Sequence, residues 1–455
     1  MKNYIGKIHV KWCQNCNVPL IGKRCGVCGE ESFSVKLTPP GDARIGFKYD
    51  IEFINSIIKK EYGSEPLSGK KVILINKIPS EEESYEIIED GVVKYLIYYN
   101  NGWKVKLKPY GALDIGKTKK FVKVENKVLD LLKNKKISIL RPGILEIGEF
   151  ERGDDVIILD EDNKVVGVGL SQVSSEEAKE MEKGKVVKVR GILKDEKRGE
   201  REYRDLEEAF KVMVEANKEV VEKYERNAIG FIRNTAKKIN KKIIVPYSGG
   251  KDSLTTLILC LKALENFEVI FIDTGLEFPE TLKNVEEVKN KFNLDIKVLK
   301  PKLSFWELVE KYGIPGRDYR WCSEELKLKP LKEYVKEEVL SFLGLRKYES
   351  YSRAKKKLIE KNTYIEKQIN AYPIFHWSSL HVWLFLLKEK APYNKLYEKG
   401  FDRIGCYLCP AMGLGEIERV KKFYPELWER FEKVLKKFFS EEEIRRGTWR
   451  VRKKA

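Results

Sequence analysis

Glutamine occurs only three times in this chain, at Gln14, Gln172 and Gln368, while Lys, Glu and Ile abound. That bias hints at a heat-loving source. Also missing is any apolar run of about 18 residues, which excludes a membrane-spanning helix and leaves no membrane contact to expect. The N-terminus lacks the charged start and apolar stretch of a secretory leader, so none is expected. No internal repeat is visible. Cysteine is present eight times, but every copy has a metal or core role open to it, so no disulfide framework is needed. This suits a reducing, cytoplasmic setting. No cysteine follows Cys409.

What is present points to several domains. A chain of 455 residues has ample material for more than one core. Lys plus Arg number 88 against 70 acidic residues, a formal net charge of +18. Such an excess favours a polyanionic partner, because phosphate contacts release counterions and supply sequence-independent affinity. The same excess also serves plain solubility.

The most informative stretch is Ser248-Gly249-Gly250-Lys251-Asp252-Ser253. Ahead of it, Lys242 to Tyr247 reads as a short buried strand, and behind it Leu254 to Leu261 reads as a helix on its buried side. Strand, glycine turn and helix start make an anion site. Glycines let the backbone approach a ligand, and first-turn N–H groups face it. Lys251 adds a positive charge, and Ser248 and Ser253 add hydroxyls, so the expected ligand is a phosphate or pyrophosphate. A second apolar strand ends in Asp273-Thr274-Gly275, where an open parallel sheet places ligand groups. Arg346 and Arg353 offer fork-shaped donors for phosphate or sulfate oxygens. Asp252 or Asp273 would suit a Mg²⁺ that bridges triphosphate oxygens. Taken singly, each of these charges also fits a solvated or structural role.

The hexapeptide resembles the PP-loop of the ATP-pyrophosphatase superfamily. About 240 to 410 resembles the phosphoadenosine phosphosulfate reductase family in several ordered motifs. These are the loop itself, Phe267 to Thr281, and Tyr319 to Lys327 with Pro330-Leu331. Gly344-Leu345-Arg346-Lys347-Tyr348-Glu349-Ser350 with Arg353, Pro392 to Tyr397, and Gly400 to Pro410 follow. The resemblance implies an adenine nucleotide ligand, with Ser248, Gly249, Gly250, Lys251, Asp252, Ser253, Asp273, Thr274, Gly275, Arg346 and Arg353 as its binding set. Lys251, Asp252 and Arg346 are the residues it implies in catalysis.

Two departures bear on the reaction. Sulfonucleotide reductases of this family attack sulfur with a cysteine near the C-terminus, which is missing here. The iron–sulfur branch also has adjacent cysteines where this chain has Trp321-Cys322. Three candidate cluster ligands remain, Cys322, Cys406 and Cys409. Thiolates usually hold a [4Fe–4S] cluster by four ligands, so three would leave one iron open to sulfide or substrate. Zinc, or ordinary buried thiols, are the alternatives. Cys260 sits in an apolar helical run and reads as core.

The N-terminal half points toward RNA. Cys13-Gln14-Asn15-Cys16 and Cys25-Gly26-Val27-Cys28-Gly29 are paired C-x-x-C knuckles, suited to a structural Zn²⁺ held by Cys13, Cys16, Cys25 and Cys28. Short β-branched runs broken by glycine and Asp-Asn turns fill about 118 to 195. Leu140-Arg141-Pro142-Gly143-Ile144, Phe150 to Val156, Val166 to Leu170 and Gly184 to Arg190 there resemble a PUA domain, a small barrel of RNA-modifying enzymes. A β-domain with no RNA role is the alternative.

The expected fold is therefore multidomain α/β. A PP-loop (adenine nucleotide alpha hydrolase-like) parallel-sheet domain spans 241–412. A zinc ribbon spans 1–38, a small α+β unit 39–117 and a PUA-like β-barrel 118–195. A helical connector fills 196–240, and a basic helical tail fills 413–455, with Leu427 to Phe439 as its helical core. Basic ends are usually solvated, and Trp449 raises nucleic-acid contact as a lesser reading.

Three functions fit. The first is an ATP-dependent enzyme that adenylates an RNA base, with tRNA the expected partner, and then exchanges AMP for sulfur from a donor. The second is a sulfonucleotide reductase or related sulfur-metabolism enzyme. The third is a non-catalytic RNA-binding protein. A homodimer is left open.

Overall fold

A computed structural model describes residues 6–134 and 138–451. The chain forms two compact units, one of residues 9–80 and 84–216, the other of residues 6–8, 81–83 and 217–451. A continuous helix, Leu206–Ile239, runs from the first into the second. Among the described residues, no helix is long and apolar enough to cross a membrane.

The first unit opens with three short antiparallel strands, Lys11–Cys13, Val18–Leu20 and Phe33–Ser34, with the first in the middle. A five-stranded antiparallel sheet follows, with its strands in chain order from Arg44–Ile45 to Trp103–Leu107. Its central hairpin turns at Asp90 and Gly91, both at positive φ, as a two-residue turn that matches strand twist requires. The helix Lys48–Tyr62 lays Ile51, Ile54, Ile57 and Ile58 on this sheet, the i, i+3, i+4 spacing of one helical face.

A six-stranded sheet over residues 121–192 makes the barrel. Five of its six strands run Phe121–Val124, Ile144–Ile147, Asp155–Leu159, Val165–Ser171 and Lys185–Ile192. Alternation along these strands sends side chains two ways. Val122, Val124, Val156 and Ile158 fill the barrel, while Phe121, Ile157 and Leu159 join the core of the preceding α+β sheet. The two segments thus share one core.

The second unit holds a six-stranded sheet. Its spatial order is Ile296–Leu299, Glu268–Ile272, Lys242–Pro246, Val339–Phe342, Gln368–Ala371, Ile359–Lys361. The first five are mutually parallel, and the last runs antiparallel on the edge. Parallel strands are covered on both faces and read as apolar runs, which is what Ile243-Ile244-Val245 and Val269-Ile270-Phe271 are. Strand order reverses between Lys242–Pro246 and Val339–Phe342. In open α/β sheets the ligand crevice lies at such a reversal, beyond the carboxyl ends.

The tail differs from the expected solvated end. Helices Leu414–Phe423, Pro425–Leu435 and Glu441–Arg446 are packed into the unit, with Trp428, Phe431, Leu435, Ile444 and Trp449 in the same core as Phe278, Phe305 and Trp321. Trp449 is 3% exposed, which removes it as a surface for stacking bases. Arg450 is buried and bonds Glu82, its Nη2 donating at 2.5 Å. The last basic residues, Arg452 to Lys454, lie outside the described residues.

Candidate functional site

The strand Lys242–Pro246 delivers the loop 248–250, and Gly250 caps the helix Lys251–Ala263. Gly249 takes φ +74°, and a Cβ there would lie 2.6 Å from Thr281 Cγ2, so the loop needs glycine for both backbone and space. Ser248 and Ser253 hydroxyls stand 3.1 Å apart, and the Ser253 hydroxyl donates to the Gly250 carbonyl. A side-chain oxygen from far along the chain also enters. The Lys251 N–H donates to the Tyr397 hydroxyl at 2.9 Å.

Lys251, Asp252 and Arg346 form one buried charged cluster. Lys251 Nζ donates to Asp252 Oδ2 at 2.7 Å, and Arg346 Nε donates to Asp252 Oδ1 at 2.6 Å. Burial alone would raise the Asp252 carboxyl, but the Arg346 and Lys251 charges overcome it and hold it down at about 2. Gly344 lets the second motif come this close. A Cβ on it would sit 2.4 Å from the Asp252 carbonyl oxygen and 2.7 Å from Ser253 N.

A cavity of about 270 Å³ opens over this cluster, at the reversal of strand order. Its walls bring together Ser248, Gly250, Lys251, Asp252 and Ser253 with Arg353 and Arg403. Glu349 and Tyr397 line it too, and Glu349 accepts from the Arg353 guanidinium. Arg346 lies beneath the lining, 3% exposed, braced by Asp252. Asp273, Thr274 and Gly275 lie at the end of the neighbouring strand and do not line the cavity. Asp273 accepts from the Gly275 N–H and lies 3.2 Å from Lys300 Nζ. Thr274 is buried, its N–H and hydroxyl both donating to Glu277. The oxygens of both aspartates expected to meet magnesium are engaged, those of Asp252 by Lys251 and Arg346 and those of Asp273 by Gly275 and Lys300, and of the two Asp252 lines the cavity.

Sequence reasoning named neither Tyr397 nor Arg403 as site residues. Both lie more than 140 residues beyond the loop, and the signal for them was their place in the motifs Pro392 to Tyr397 and Gly400 to Pro410.

The four N-terminal thiols converge. Their Sγ atoms all lie within 4.8 Å of one another, with Cys13–Cys28 at 3.4 Å and Cys16–Cys25 at 3.7 Å. Four thiolates around zinc at a bond length of about 2.3 Å would have edges of about 3.8 Å, so this donor set fits a tetrahedral ion. The Cys16 N–H pointing at Cys13 Sγ, 3.3 Å away, is the knuckle turn the spacing predicts. Among the described residues, this is the group of three or more His, Cys, Asp or Glu side chains that gathers as a metal requires.

Cys322, Cys406 and Cys409 are half-buried against one core, near enough that their charges influence one another, but they do not gather in that way. Three thiols against one core are the donor set expected to hold an iron–sulfur cluster, whose ligand sulfurs stand farther apart than those around a single ion. A half-buried lysine, Lys327, faces them. The Cys406 charge first, and then Glu277, raises Lys327 above its ordinary value, while burial pushes the Cys406 thiol up. Lys327 belongs to a π-helical turn, Glu324–Leu328, a rare geometry that recurs at functional sites. Cys260 is fully buried in the helix Lys251–Ala263 and is core.

A parallel sheet with a glycine loop, a lysine and two arginines at its reversal is the open α/β class of domain, with an anion-favouring crevice beyond its carboxyl ends. Residues 242–412 match the phosphoadenosine phosphosulfate reductase domain, and residues 120–193 match the PUA domain. The chain belongs to the phosphoadenosine phosphosulfate reductase domain family, and it carries a PUA domain beside that module. An uncharacterised protein of Methanocaldococcus jannaschii is 58% identical over 473 residues, covering 100% of this chain and 98% of its own. An adenosine 5'-phosphosulfate reductase of Geobacillus sp. is 33% identical over 179 residues, 38% of this chain and 74% of its own. The structure of a phosphoadenylyl-sulfate reductase from Candida auris, in a phosphate complex, is 22% identical. It overlaps 42% of this chain and 95% of its own, with a TM-score of 0.33.

Proposed function

We propose that this protein binds ATP at the cavity over Lys251 and uses it to activate an RNA base, with tRNA the expected substrate, for exchange of oxygen by sulfur. The observation that carries this reading is the fate of the C-terminal segment. It contains no cysteine after Cys409, and it is folded into the core through Trp428, Phe431 and Trp449. A reductase of this family needs a C-terminal thiol that reaches the substrate sulfur. The PUA domain and the net charge of +18 suit an RNA partner.

In this scheme the loop amides, Lys251 and Arg353 hold the leaving phosphates, where developing charge is stabilised by fixed donors. Asp252 keeps Lys251 and Arg346 in place. A base oxygen attacks the α-phosphorus, its bond to phosphorus forms, and the α–β bridge breaks to release pyrophosphate. A hydrosulfide-level donor then attacks the base carbon, and AMP leaves with the oxygen. This exchange is redox-neutral. Mg²⁺ would arrive with the triphosphate and be met by Asp252, which lines the cavity, or by Asp273. Cys322, Cys406 and Cys409 would hold an iron–sulfur cluster through three thiolates, which would supply a place for the sulfur. Zinc, held by Cys13, Cys16, Cys25 and Cys28, would serve structure alone.

The test is product analysis of labelled ATP incubated with the protein, with and without total tRNA. RNA-stimulated AMP and pyrophosphate, lost in Lys251→Ala, support the reading, and absence of RNA-dependent AMP sinks it. The second reading, a sulfonucleotide reductase, draws on the similarity to an adenosine 5'-phosphosulfate reductase. It predicts sulfite when an adenylyl sulfate is supplied with a thiol reductant.

A further inference from the structure

A charged cavity of the first unit is lined by residues of the ribbon, the α+β sheet and the end of the barrel. It measures about 490 Å³, and three segments distant in sequence wall it: the third ribbon strand with Lys36, the α+β sheet with Lys108, and the end of the last barrel strand with Lys194 and Lys197. Four lysines face two glutamates, and the glutamates are already engaged. Glu86 accepts from the Thr38 N–H and hydroxyl and from Asn76, and Glu196 pairs with Lys36 at 3.1 Å. Lys108, Lys194 and Lys197 meet no carboxylate among the described residues, although ion pairs are abundant elsewhere. The wall between them is fixed, because the Tyr110 hydroxyl donates to the Lys194 carbonyl and Arg198 covers the Tyr110 ring.

Exposed ammonium groups without carboxylate partners around one concave wall build a positive potential that favours an anionic ligand. They come from two segments, Lys108 from one and Lys194 with Lys197 from the other, which suits a run of phosphates better than a single one. We infer that this cleft holds the phosphate backbone of the RNA substrate, with Lys108, Lys194 and Lys197 as phosphate contacts. The inference rests on the RNA reading above and deepens it, since it assigns binding to the junction of ribbon, α+β sheet and barrel end rather than to the barrel alone. The contacts are to backbone, so they fix position without reading sequence.

The experiment is fluorescence anisotropy of the full chain with labelled total tRNA, titrated over a range of potassium chloride. A triple variant, Lys108→Gln with Lys194→Gln and Lys197→Gln, is compared with a charge-matched triple on the barrel, Lys179→Gln with Lys183→Gln and Lys185→Gln. A third protein carries arginine at the three cleft positions. Loss of three phosphate contacts should lower affinity at least about tenfold and reduce the salt slope by roughly two, whereas the arginine protein should bind as wild type does. An equal loss in the barrel variant would reduce the effect to overall charge and overturn the assignment. Unchanged binding in the cleft variant overturns it too, and leaves the RNA reading intact. Failure of the wild-type protein to bind tRNA at all removes both.

Discussion

Removal of the Arg346 guanidinium should loosen the start of the loop helix more than any exposed substitution could. Its side chain is 3% exposed and its partner Asp252 is 16% exposed, with the Nε–Oδ1 contact at 2.6 Å. Breaking a buried pair on one side costs about 3–5 kcal/mol, because the remaining charge stays desolvated. Lys251 still neutralises part of Asp252, so the lower end, about 3 kcal/mol, applies to Arg346→Met. Hydrogen exchange of the amides in Lys251–Ala263 is the direct assay, since it reads local opening free energy. The amides of this helix should then exchange roughly 150-fold faster, at tenfold per 1.4 kcal/mol. Pairing Arg346→Met with Asp252→Asn should recover part of the loss, because the unpaired carboxylate disappears with its partner. Unchanged protection in Arg346→Met would refute the claim that this cluster holds the loop. The same cluster sets an acid limit. Asp252 is depressed from 3.8 to about 2, so its stabilisation is complete above pH 3.8 and fades as pH falls toward 2.

Lys251→Ala should cut RNA-stimulated AMP release at least about a hundredfold, the scale expected for a donor that meets transition-state charge, as read by thin-layer separation of labelled ATP. Cys16→Ser should purify without zinc while the wild type carries one ion per chain, as read by elemental analysis. Burial first, and then the Arg346 charge, depress His381 to about 3, and its Nε2 is buried without a partner. A histidine held neutral stabilises fully above about pH 6.5 and less as pH falls below that value, so His381→Asn should flatten the loss of thermal stability between pH 6.5 and 4. Gly344→Ala should weaken ATP binding measured by calorimetry, because its Cβ would drive into the Asp252 carbonyl and the Ser253 amide.

Local chemistry was legible where neighbours in sequence act together. The loop 248–253 and the knuckles Cys13-x-x-Cys16 and Cys25-x-x-Cys28 carry their geometry in a few adjacent residues, and the helix Lys48–Tyr62 announces itself by isoleucine spacing. Long-range returns were not legible. Tyr397 reaches back 146 residues to the Lys251 amide, and although the motif Pro392 to Tyr397 ends on it, no spacing there says which group it meets. Trp449 looks like a surface aromatic in a basic stretch, yet Phe431 stacks edge-on against it in the core. Composition reports charge but not which lysines lack partners, so the cleft at Lys108 and Lys194 had no signature either.

The pair Glu82 and Glu83 illustrates what such returns imply for the chain as a whole. They precede the strand Ser84–Glu89, yet they accept from the N–H groups of Leu414, Gly415 and Glu416 and neutralise Arg450. A fragment that starts at the loop domain would leave a helix N-terminus bare and a buried arginine uncompensated. Excision at the apparent boundary would therefore yield an unstable fragment. Residues 81–83 thus belong by their bonds to the second unit, and a cut at residue 240 would sever that unit from part of itself.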